Sequence, residues 1–216
     1  RNVSLAEISD GRLYKATDMV KADCGGCNGC SRCCHGMGNS IILDPYDVYR
    51  MTTGMGKSMQ ELLAASVELN VVILPNLKMQ GTKEACAYLD EEGRCSIHPY
   101  RPGICRLFPL GRYYENGGFS YFLQTGECAK ENRSKIKVSK WIDTPDLTRN
   151  QQFTLQWHDL LHAMEERLTG EDEGKQREEN LLLLRLFYLL PYEGTIDFYT
   201  QFTERMEHWN GQNGQI

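Results

Sequence analysis

Cys24-Gly25-Gly26-Cys27-Asn28-Gly29-Cys30-Ser31-Arg32-Cys33-Cys34 gathers five of the chain's nine cysteines into one short stretch, the first four spaced three positions apart. A C-x2-C step lets a short loop turn both thiolates toward one metal ion. The interleaved glycines permit the tight backbone that such a loop needs. Cys33 and Cys34 are adjacent, so their side chains are expected to diverge. They suit two metals, or two irons of one cluster, better than one zinc tetrahedron. The stretch is read as a metal site, and it predicts a small core organised by metal.

Working outward, Cys86, Cys95, Cys105 and Cys128 follow, each in a loop or hairpin context. With Cys27, Cys30, Cys33 and Cys34 they make eight thiolates, enough for two four-thiolate sites, and Cys24 is one more. Eight thiolates carry far more negative charge than one zinc ion offsets, so more than one metal ion is expected if all are ligands. Nine cysteines in 216 residues fall well below the ~8–10% of small disulfide scaffolds. Their spacing is that of chelation, which favours a reducing, cytoplasmic setting over a secreted disulfide framework.

Composition excludes other classes. Hydrophobic residues make up 41% and charged residues 25%, ordinary values for a globular chain. The net charge is −5 with no basic block, so nucleic acid is not an expected partner. The apolar run Leu181–Leu184 is interrupted by Arg185, so no membrane span is expected. The first twenty residues carry Glu7, Asp10 and Asp18 and no apolar signal stretch, which agrees with a cytoplasmic location. No glycine-rich nucleotide loop and no Ser/His/Asp signature occurs.

Ser4 and Glu7 stand at capping-box spacing and predict a helical lead-in over residues 1–20. Ile41-Ile42-Leu43 predicts a strand. Asp44 and Pro45 open a helix to about Met51, broken by Thr52–Gly56, and Ser58 with Glu61 opens a second. Val71–Leu74 predicts another strand. A tight hairpin turn is expected at Asp90–Arg94, a stiff non-helical segment over His98–Pro109, and a hairpin at Asn116-Gly117-Gly118. From Thr144 onward cysteine disappears and helix periodicity takes over. A stripe of Trp157, Leu161, Met164 and Leu168 is followed by an acidic linker, Glu171–Gly174, and a helix over Lys175–Leu190. A last helix, Thr195–Trp209, puts Phe198, Phe202, Met206 and Trp209 on one face. The expected fold class is α+β. A metal-anchored cysteine-rich core of short helices and β-hairpins, residues 1–143, carries an all-helical extension, residues 144–216.

The C-x2-C-x2-C-C run and the later Arg101-Pro102-x-x-Cys105-Arg106-x-Phe108-Pro109 occur in order. Together they resemble the YkgJ-type cysteine-cluster family of zinc- or iron-chelating domain proteins, over roughly residues 20–130. The flagellin lysine N-methylases are similar over the same cluster. The resemblance implies a cytoplasmic protein in which Cys27, Cys30, Cys33, Cys34, Cys86, Cys95, Cys105 and Cys128 bind an iron–sulfur cluster, such as 4Fe-4S, or zinc. Cys24 adds one C-x2-C step upstream. It further implies a part in protein modification, such as lysine methylation, or in electron transfer. Catalytic residues are not identified, and any enzyme assignment rests on the resemblance. The alternative is a zinc-stabilised, non-catalytic scaffold. In either case another protein is the expected partner, recruited by the helical extension.

Spacing bears on the metal. Structural zinc usually sits between two separate C-x2-C knuckles, whereas iron–sulfur proteins draw several thiolates from one close run and others from afar, as here. Arg101 and Arg106 flank Cys105 and can offset thiolate charge or act as structural clamps. His35 and His98 neighbour ligand cysteines but are expected in a supporting role. His158 and His162, with Glu165 and Glu166, are expected to form an ordinary polar helix flank.

Overall fold

The Asp44–Asp47 pair fixes the first helix of the core. The Asp44 carboxylate accepts from the Asp47 N–H, and the Asp47 carboxylate accepts from the Asp44 N–H. This reciprocal cap starts helix α2, Pro45–Met55. The computed structural model describes residues 4–25, 30–70, 74–130 and 132–213. The helix runs through Gly54 rather than breaking at Thr52, and ends at Gly56 in the left-handed conformation. Gly54 has a packing reason: a Cβ there would stand 2.3 Å from the Tyr100 ring. Helix α3, Met59–Ala65, starts from the Ser58/Glu61 capping box that the sequence predicts.

Helix α6, Leu147–Leu168, is capped by Asp146 and buries Phe153, Trp157, Leu160, Met164 and Leu168. Leu161 is only half-buried, with Leu160 turned inward in its place. The expected acidic linker is shorter than its composition suggests. Asp172 accepts from the N–H groups of Gly174 and Lys175, so helix α7, Glu173–Leu184, begins inside it. A wide π-type turn, Arg185–Leu189, continues α7. Buried Arg205 ties this turn to the residues after it, donating to Leu186 O at 2.7 Å, Leu190 O at 3.0 Å and Pro191 O at 2.9 Å. Arg205 belongs to helix α8, Phe198–Asn213.

One apolar core joins the two halves of the chain. Leu43, Tyr46, Met51, Leu62 and Leu77 pack with Phe153, Trp157, Phe187, Phe198, Phe202 and Trp209. Buried rings meet edge to face, Phe153 with Phe198 at 5.0 Å and with Phe202 at 4.8 Å. Such pairs add to the area they bury.

The strands form a second, smaller core. Strands β7, Leu110–Glu115, and β8, Gly118–Gln124, make the expected hairpin, with Asn116 and Gly117 both at positive φ. The N-terminal region departs from expectation. Among the described residues up to position 20, only Leu5–Ile8, helix α1, is helical, and the Ser4 side chain makes no cap bond. Strands β1, Ser9–Tyr14, and β2, Met19–Asp23, follow instead. β1 pairs antiparallel with β8, and β2 with β9, Ser134–Lys137. The reason is alternation: Val20 and Ala22 face inward while Met19 and Lys21 face out. Val20, Ala22, Leu107, Leu110, Tyr121 and Leu123 enclose this core with Val138 and Ile142, both from helix α5, Val138–Ile142.

Short pairings complete the fold. Strand β3, Val67–Leu69, pairs with β4, Pro75–Leu77, and β5, Met79–Gln80, with β6, Ala85–Cys86. Ile42 makes one antiparallel bridge to Asn76 where a strand was expected. In the expected strand Val71–Leu74, positions 71–73 lie outside the described residues. The His98–Pro109 segment is not wholly irregular: a 3-10 turn, His98–Tyr100, leads to helix α4, Gly103–Leu107. Pro102 stands just before its first turn, where proline costs no hydrogen bond.

Candidate metal centre

Backbone pairing brings the two cysteine regions together. Arg32–Cys34 forms a 3-10 turn, with Cys34 N–H donating to Ser31 O at 2.8 Å. The next residues zip onto the β5–β6 turn: His35 bridges to Ala85, and Gly36 N–H donates to Glu84 O at 2.9 Å. Cys34 is thereby set beside Cys86. The turn at Asp90–Arg94 closes as expected, and the Leu89–Cys95 bridge returns the chain toward Cys86. Cys105 lies on α4, whose Gly103 N–H donates to the Asp47 carboxylate at 2.6 Å. Arg50 reaches the same segment, donating to Pro99 O.

The result is a cavity of about 510 Å³ whose walls include Cys30, Cys33, Cys34, Cys86, Cys95 and Cys105. Ile41, Leu77, Tyr88, Ile97, Phe108 and Trp141 supply apolar walls. Trp141 is held in place by donating its indole N–H to Leu107 O and Phe108 O, both at 3.2 Å. A cavity of about 20 Å³ lies against it, walled by Cys24, Cys30, Cys33 and Cys128. Cys27 lies outside the described residues. Cys30, Cys33, Cys34, Cys86, Cys95, Cys105 and Cys128 are half-buried and carry free thiols.

The electrostatics follow from this crowding. The Cys34 thiol donates to the Cys33 sulfur, which pulls Cys33 down to about 6 and pushes Cys34 up. The two side chains therefore stay in contact rather than diverging as their adjacency suggested. Burial raises Cys86, Cys95 and Cys105, each further raised by neighbouring cysteines. Buried Asp47 adds to the rise at Cys105. Arg101, on the cavity wall, favours the thiolates of Cys33 and Cys95.

The two arginines flanking Cys105 have separate roles. Arg106 turns away from the cavity; it is 4% exposed, beside Asp47, and its guanidinium lies over the Tyr46 ring at 5.9 Å. Asp47 was not singled out from sequence, although its spacing from Asp44 is the D-x-x-D signal of a reciprocal cap. Trp141 carried no comparable signal.

The histidines take supporting places. His35 Nδ1 faces Lys83 O at 3.3 Å, and His98 stands on the cavity wall. His158 stacks on Tyr114 with centroids 3.8 Å apart, His162 faces Glu166, and neither lines the cysteine cavities.

The donor set fits the metals that the spacing suggests, since soft thiolates select zinc and iron–sulfur clusters. Among the described residues no three Cys, His, Asp or Glu side chains converge as a finished coordination shell. The sulfurs are instead distributed around cavity walls. No helix among these residues is long and apolar enough to cross a membrane.

Residues 26–131 match the CxxCxxCC family model, described as "Putative zinc- or iron-chelating domain". The match supports metal binding by the cysteine cluster, with zinc and iron both within the description. No curated protein and no solved structure matches the chain.

Proposed function

We propose that the larger cavity holds an iron–sulfur cluster and that the protein serves in electron transfer or in protein modification, such as lysine methylation. The observation that carries this reading is the cavity itself. Six cysteines line about 510 Å³, far more room than one tetrahedral zinc ion closed by four sulfurs occupies. When bound, such a cluster supplies a one-electron redox centre.

The chain's own residues do the rest. Cys34, Cys86, Cys95 and Cys105 provide thiolates from four separate segments, and Arg101 offsets part of their charge. Phe108, Ile97 and Trp141 restrict water, which raises the weight of every nearby charge and N–H dipole. The exposed side chains of Leu190 and Ile196, which line one groove with Leu186 and Pro191, offer the helical extension an apolar surface for a protein partner.

Metal and acid-labile sulfide content, with an absorption spectrum on protein purified without oxygen, tests this reading. Iron, sulfide and a broad band near ~400 nm support it. Zinc with no sulfide would replace it with a zinc-stabilised scaffold.

A further inference from the structure

We infer that Asp47 is the positioning residue for Cys105: it sets where that thiol meets metal in the larger cavity. This inference rests on the proposed chelating role of the cavity and names a residue that serves it.

Asp47 uses both carboxylate oxygens. Oδ2 accepts from Asp44 N–H at 3.2 Å and completes the cap of α2, and Oδ1 accepts from Gly103 N–H at 2.6 Å. The third helical position of a capping box is ordinarily Glu or Gln. Here a shorter acid stands in that place, with its second oxygen turned to another element. Two N–H donors need an acceptor on each arm, which a carboxylate has and a carboxamide lacks. Asp47 is 2% exposed, so a donor left facing a carboxamide N–H would be both buried and unpaired.

The Cys105 segment needs such a hold. Helix α4 is five residues long, too short to persist by its own bonds, and Gly103 opens it two positions before Cys105. Arg106 follows Cys105, is 4% exposed, and its Nε and Nη1 have no hydrogen-bond partner among the described residues. The Asp47 carboxylate is the foremost charge that favours this buried cation. Asp47 thus bears on the chain on both sides of Cys105, by a hydrogen bond before it and by charge after it. Its own charge opposes a thiolate at Cys105, so it does not activate the sulfur. What it contributes is position.

Iodoacetamide alkylation of the metal-loaded full chain, mapped by mass spectrometry, tests the inference. A thiolate bound to metal is protected whichever metal is present. Asp47→Asn removes one acceptor arm. Gly103→Pro removes the donor instead, and proline suits the first helical position. Gly103→Ala restores the N–H, and its Cβ would lie in ordinary contact, 3.5 Å from Asp47 Oδ1. Phe202→Ala controls for general loss of stability. Asp47→Asn and Gly103→Pro should each raise alkylation of Cys105 about ten-fold or more relative to Cys86 and Cys95, the weight of one hydrogen bond to a charged acceptor. Gly103→Ala and Phe202→Ala should keep the wild-type pattern. If Asp47→Asn does not fold, the two Gly103 variants decide alone. Continued protection of Cys105, or an equal rise at all three cysteines, would overturn the inference. So would a wild-type Cys105 that reacts as fast with metal as without it. The expected pattern in protein that holds zinc and no sulfide would uphold the inference and sink the iron–sulfur reading. Metal-free protein would overturn both.

Discussion

Around Phe198 and Phe202 the chain is filled with aromatic rings packed edge to face, joined to α2 and α6 over long sequence distances. Around Cys34 and Cys105, on the other side of α2, the chain passes through a 3-10 turn, isolated bridges and two-residue strands, and encloses a cavity. The first region accounts for its own order through buried apolar surface. The second adds Ile41, Leu77, Tyr88 and Ile97 to that core, sets thiols around a cavity, and leans on α2 through Gly103–Asp47 and Arg50–Pro99. Neighbouring parts of one small chain can thus be held by different forces, and these forces respond to different perturbations.

The largest effect should come from removing metal. Structural zinc contributes about 10–16 kcal/mol in zinc-finger peptides, so a chelator should abolish amide-exchange protection over residues 84–105 while α6 and α8 keep theirs. Equal loss in both regions would erase the contrast, and no loss would remove metal from the fold's support. Acid should act in the same direction. The Cys34 thiol is raised by its hydrogen bond to Cys33 and by burial, and those of Cys86, Cys95 and Cys105 by burial and by neighbouring cysteines, so binding must expel their protons. Affinity should rise with pH and fall as pH drops, and metal content measured between about pH 8 and about pH 5 should decline on the acid side.

Phe202→Ala attacks the other region. Phe202 is 1% exposed, and its truncation should cost about 3–5 kcal/mol, read as a lowered denaturation midpoint, with metal stoichiometry unchanged in the folded protein. Gly54→Ala probes the seam between the regions. The new methyl meets the Tyr100 ring, and the overpacking cost of about 1–3 kcal/mol should outweigh the gain of about 1 kcal/mol in helix propensity. A stabilised variant would show that the Tyr100 turn yields freely and that the seam is loose. Arg149→Ala, which removes an exposed ion pair to Asp197, should change stability by less than about 1 kcal/mol.

What the sequence disclosed was local. Asp44-Pro45, Ser58/Glu61 and Asn116-Gly117 act on their own neighbours, and the structure has a cap or a turn at each. The cysteine spacing likewise announces chelation, in agreement with the matched family description. Long-range partners were hidden. β1 and the first two residues of β2 read as helix from the sequence because their pairing strands lie about a hundred residues away, and nothing in residues 1–20 points to β8 or β9. The same distance concealed which cysteines share a wall, and the inward turn of Arg106 toward Asp47 depends on helix α2, far upstream of it.

The β2–β9 ladder also sets a timetable. Asp23 cannot meet Ser134 until the later strand has been synthesised, so Cys24, Cys30, Cys33 and Cys34 leave the ribosome about a hundred residues ahead of the strand that completes this ladder. At ordinary elongation rates that is an interval of roughly 5–20 s, during which these thiols stand outside any finished cavity. A cell that makes this chain must keep them reduced and keep stray metals away for that interval. The order of synthesis thus becomes part of how the centre is assembled.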